Sequence, residues 1–76
     1  MKMSVIAAKK LETRVLNYLN DCYMDNTIPH EDSTAFYDFI SYRIKQVEKL
    51  SKFVKESIEV EIPPRYLDVI TEIIGD

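Results

Sequence analysis

Residues 33–57 keep a helical apolar spacing for roughly seven turns at 3.6 residues each, with no Gly or Pro to interrupt it. Phe36, Ile40, Ile44, Val47, Leu50 and Val54 form one stripe, which Ile58 could extend. Phe39, Tyr42, Gln46, Lys49 and Phe53 run beside it as a second, partly apolar flank, and Lys45, Glu48, Lys52, Lys55 and Glu56 cover the back. A helix with two adjacent contact faces needs two neighbours. The rest of the chain must supply them.

That chain has only 76 residues, enough for one small domain (1–76). A single Gly and three Pro leave little turn material for a many-stranded sheet. The periodicity instead predicts a first helix over residues 4–24. There Ala8, Leu11, Val15, Tyr18, Leu19 and Cys22 share a face, widened by Val5, Leu16 and Tyr23, with Ser4 as N-cap. Asp25 to Asp32 breaks the pattern. Pro29 disfavours helix at Ile28, and Asp32 or Ser33 can cap the next helix. So short a connection predicts an antiparallel hairpin.

Ile58-Glu59-Val60-Glu61-Ile62 alternates strictly, as a half-buried extended segment does. Pro63-Pro64 stops any helix before it and suits the start of a third helix over about 64–74, closed by Gly75. The expected fold is therefore all-α: a hairpin of two helices (about 4–24 and 33–57), a short extended segment (58–62), and a C-terminal helix folded back across the hairpin.

Two charges interrupt the apolar arcs, Glu12 in the first helix and Arg43 in the second. Folding the hairpin about residue 28 or 29 brings residue 12 level with residue 45, within a turn of Arg43. The two are expected to pair within the helix interface, fixing register more than adding stability.

Several chemistries lack their residues. One His, one Cys, no Gly-rich phosphate loop and no nucleophile–base arrangement argue against an enzyme. No catalytic residue, cofactor-binding residue, metal ligand or small-molecule substrate is expected. His30-Glu31-Asp32 reads as a capping loop, and Cys22 as an inert core residue. Val5 to Ala8 is too short for a secretory h-region, which needs about 7–15 apolar residues, and no run reaches the roughly 20 of a membrane span. A cytoplasmic protein with no membrane partner is the expectation.

The net charge is −3, a poor balance for general nucleic-acid binding. It is, however, segregated: residues 20–38 carry −5 and residues 43–57 carry +3. Tyr42, Lys49 and Phe53 can receive the third helix or serve as a partner surface. Ile58, Val60 and Ile62 form a lone strand that either packs as a linker or pairs with another chain across a two-fold axis. These features favour a non-enzymatic protein-binding or regulatory module, as a homodimer. The alternative is a nucleic-acid-binding regulator that uses the basic face of the second helix.

Overall fold

The computed structural model describes residues 1–53 and 58–75. The chain runs β1 (Lys2–Met3), α1 (Val5–Met24), α2 (Ser33–Ser51), β2 (Val60–Glu61), a 3-10 turn (Pro64–Tyr66) and α3 (Leu67–Ile74). The fold is all-α, a helix pair plus a C-terminal helix, with one small two-stranded sheet.

Local chemistry sets the helix ends. The Ser4 hydroxyl accepts from the Ala7 N–H at 3.1 Å and caps α1. At the other end Asn26 adopts φ 56°, a left-handed conformation that Asn tolerates better than most residues. Its N–H bonds to Tyr23 O, and the Thr27 N–H to Cys22 O at 2.9 Å. This is the paired closure of a Schellman motif.

The start of α2 differs from the expected side-chain cap. Asp32 makes no capping bond. Instead Ser33, fully buried, donates its hydroxyl to His30 O at 2.6 Å, and the Asp32 N–H donates to His30 Nδ1 at 3.1 Å. The His30 N–H donates in turn to the Tyr18 hydroxyl, which tethers the loop to α1.

The core gathers Ala8, Leu11 and Val15 from α1, and Phe36, Ile40, Ile44 and Val47 from α2. Val60, Ile62, Tyr66, Val69 and Ile70 complete it from the C-terminal quarter. Tyr66 is the joint between α3 and α2: its ring lies 5.1 Å from that of Phe36 and 5.3 Å from that of Phe39, with the Arg65 guanidinium 4.9 Å over it. The core stripes of both long helices match the periodicity. Leu16, Tyr23 and Leu50 do not follow it and are exposed.

Two expectations are corrected here. α2 ends at Ser51, followed by a turn at Lys52 and Phe53, so it is shorter than 33–57. Residues 54–57, including Val54, lie outside the described residues. The alternating segment packs as the half-buried extended stretch expected, but its strand partner is not another chain. β2 pairs antiparallel with β1 of the same chain, Lys2 opposite Glu61 and Met3 opposite Val60. The Ile62 N–H donates to Met1 O at 2.7 Å, and the Met1 amino group donates to Ile62 O at 3.2 Å. Val60 and Ile62 turn inward and are fully buried, and Ile58 packs partly buried against the same core.

Candidate interaction surfaces

The residues expected to form one partner surface fall into two groups. Val60 and Ile62 belong to the core and cannot contact a partner, while Ile58 is half-buried beside them. The physical reason is the alternation itself: period-2 spacing aims every second side chain at one face, and β1 holds that face against the helices. Tyr42, Lys49 and Phe53, by contrast, stay on the outside of α2 and the turn after it, and α3 does not cover them.

The second flank of α2 divides along its length. Near its middle, Phe39, Arg43 and Gln46 are half-buried where β2 and Pro63-Pro64 come alongside, leaving a cleft of ≈ 520 Å³. Arg43 Nη1 donates to Gln46 Oε1 at 3.0 Å, and Gln46 Nε2 donates to the Tyr42 hydroxyl at 2.9 Å. Tyr42 borders this cleft and is still 63% exposed. Beyond Gln46 the cover ends: Leu50 is 50% exposed and Phe53 83%, with Lys45, Lys49 and Lys52 along the same side. The one acid among those lysines on the helix, Glu48, is held by Lys9 of α1 at 3.1 Å. The result is an apolar and basic flank that runs about 12 Å along α2 from Tyr42 to Leu50, at 1.5 Å per residue, and continues to Phe53 in the turn.

The expected Glu12–Arg43 pair does not form. Glu12 Oε2 accepts from the Ser41 hydroxyl at 2.6 Å, and Arg43 turns to Gln46. Glu12 meets α2 at the expected height, since Ser41 is within a turn of Arg43. Phase decides the outcome: two helical positions are about 200° apart, so the side of α2 that carries Ser41 towards α1 carries Arg43 towards β2. Among the described residues the ion pair that does link α1 and α2 is Lys9–Glu48, on the exposed edge.

The hairpin end presents the opposite chemistry. Tyr23 is 82% exposed, Met24 75% and Ile28 95%, and Asp21, Asp25 and Glu31 are exposed around them. Cys22 is buried beneath, as expected of a core thiol. Tyr18 stands just behind this end. Its hydroxyl accepts from the His30 N–H at 2.9 Å and donates to Glu72 Oε2 of α3 at 3.3 Å. Burial pushes the Tyr18 phenol above its usual pKa, and the nearby Glu72 charge adds to the rise against the opposing His30 bond.

A further cleft, ≈ 450 Å³ between β1, α1 and α3, is lined by Met1, Met3, Leu11 and Ile70 with Lys10 and Arg14 on its rim. The periodicity gives no sign of it, because β1 is too short to produce an alternation of its own. Among the described residues no group of three His, Cys, Asp or Glu is placed to hold a metal ion. No helix among them is long and apolar enough to cross a membrane. No family model, curated protein or solved structure matches this chain.

Proposed function

We propose that this chain is a non-enzymatic binding module that docks an acidic, apolar protein surface on the outer flank of α2. The observation that carries the reading is the exposure of Tyr42, Leu50 and Phe53 beside Lys45, Lys49 and Lys52. Large apolar side chains left in water among lysines, whose one acidic neighbour on the helix is paired to Lys9, have the composition of a recognition surface, in which aromatic anchors supply affinity and the lysines select the partner. Two copies meeting symmetrically through this flank would set lysine against lysine. The flank therefore suits an unlike surface, and not the two-fold dimer expected from a strand that in fact pairs within its own chain.

The test is retention of partners from a lysate of the native host by the immobilised protein and by a Lys49→Glu/Phe53→Ser variant. Both substitutions are on exposed side chains, so folding should be kept, within about 0.5 kcal/mol each. An acidic protein held by the wild type and lost by the variant supports the reading. A retained set that the substitutions leave unchanged contradicts it.

One observation favours a second reading. Tyr42 and Phe53 among lysines also resemble a stacking platform for single-stranded nucleic acid, where each stacked base contributes about 1–3 kcal/mol. Binding of oligothymidine that weakens steeply with salt and is lost in Phe53→Ala would support it; no binding at micromolar protein would exclude it. The net charge of −3 and the acidic hairpin end make it the weaker of the two.

A further inference from the structure

Seven large apolar side chains are half or more exposed: Ile6 lies near the start of α1, and the other six form two groups whose surroundings differ in charge. Tyr23, Met24 and Ile28 stand at the hairpin end with Asp21, Asp25 and Glu31. Tyr42, Leu50 and Phe53 run from the middle of α2 to the turn after it, with Lys45, Lys49 and Lys52. α2 separates them: its N-terminus adjoins the acidic end, and at 1.5 Å per residue Tyr42 lies about 13 Å and Leu50 about 25 Å along it. The two groups therefore do not cover each other within one molecule, and both stay exposed.

We infer that they satisfy each other between molecules: the acidic hairpin end of one copy docks on the basic flank of α2 of the next. This deepens the binding reading above and rests on it, by naming a second copy of the chain as a surface the flank takes. Three features fit the match. The hairpin end offers one aromatic ring with a thioether and an aliphatic side chain, and the flank two aromatic rings with one aliphatic, so apolar area meets apolar area. Asp21, Asp25 and Glu31 surround the one patch, and Lys45, Lys49 and Lys52 outnumber the flank's Glu48, which Lys9 already pairs, so approach in this orientation is attractive, while flank-to-flank or end-to-end approach is repulsive. Finally, the contact uses different patches on the two partners. Such a contact is heterologous, and unless the rotation closes a ring it propagates into open chains and does not stop at two.

The experiment uses the full chain and two variants, each disabled on one side: Ile28→Asp at the hairpin end and Phe53→Asp on the flank. Ile28 and Phe53 are among the most exposed apolar residues, so neither change touches the core. In sedimentation at low salt, wild-type mass should rise with concentration past twice the 8.9 kDa chain, and association should weaken at least about fivefold between 50 and 500 mM salt as the charges are screened. Each variant alone should stay monomeric. Mixed in equal amounts, the intact flank of one and the intact end of the other should give a dimer that grows no further.

Wild type that stays at one chain mass, association that stops at two, or a mixture that stays monomeric would each overturn the proposal. A monomeric wild type whose flank still captures a foreign acidic protein, with loss in Lys49→Glu/Phe53→Ser, would leave the binding reading intact and remove only the second copy. Failure of both removes the flank itself.

Discussion

Replacing Ile62 by Ala should cost more than any other single change in the last third of the chain outside Tyr66. Ile62 is fully buried and is tied to Met1 by hydrogen bonds in both directions. Truncating a buried Ile to Ala costs about 2–5 kcal/mol, the transfer term plus the cavity left behind. A domain of this length holds roughly 4–11 kcal/mol in total, so the variant should lose a large fraction of its stability. In thermal unfolding the midpoint should drop by at least about 8 °C, taking about 4 °C per kcal/mol for a domain of this size. Glu61→Ala, one residue away and exposed, is the control and should stay within about 0.5 kcal/mol.

A second arm asks which chain provides the strand partner. Lys2 and Glu61 lie opposite each other next to the doubly hydrogen-bonded Met1/Ile62 pair, so they form a close, non-hydrogen-bonded pair that a disulfide can bridge. With Cys22→Ser to remove the native thiol, Lys2→Cys/Glu61→Cys should oxidise to a product of one chain mass. It should also gain about 4 kcal/mol in the chain-entropy model. An oxidised product of two chain masses, or an Ile62→Ala variant as stable as the wild type, would refute the placement of 58–62.

Tyr18→Phe removes the acceptor of the His30 N–H and the donor to Glu72, and should cost about 1–2 kcal/mol by urea titration at neutral pH. Because the folded-state pKa of Tyr18 is raised, its contribution is complete below the unfolded value near 10 and is lost as pH rises through the folded value; the stability gap between wild type and Tyr18→Phe should narrow there. A gap that widens with pH would contradict the assignment. Glu12→Gln and Arg43→Met should show a coupling below about 0.5 kcal/mol in a double-mutant cycle, since Glu12 bonds to Ser41 and Arg43 to Gln46. A larger coupling would restore the direct pair.

Periodicity carried the long elements because their stripes are long. Ala8, Leu11 and Val15 opposite Ile40, Ile44 and Val47 give several repeats of 3.6, and a register error would expose the whole set. The pattern also gave α2 two contact faces and left the second to the third helix or a partner; the third helix does not take the part with Tyr42, Lys49 and Phe53. β2 and Pro63-Pro64 occupy the side at Phe39, Arg43 and Gln46, and not the length that includes Lys49 and Phe53. What decided this was β1, two residues with no alternation of their own, whose pairing with β2 seats Val60 and Ile62 in the core. The phase of Arg43 failed for a related reason. A charge inside an apolar arc reads as interface, but a half-covered edge lets the guanidinium leave the arc by its flank, where Gln46 receives it. Tyr42, Lys49 and Phe53 could be singled out beforehand, whereas their exposure could not, because it depends on where α3 packs.

The most direct test of the α2 flank as a docking surface is photo-crosslinking in the native host. A benzoylphenylalanine is placed in turn at Tyr42, at Phe53 and at Thr13, an exposed position on the outer side of α1. We expect a discrete adduct of the same mass from positions 42 and 53 and none from position 13. No adduct at 42 and 53, or one shared equally by all three positions, would contradict a binding function for this flank.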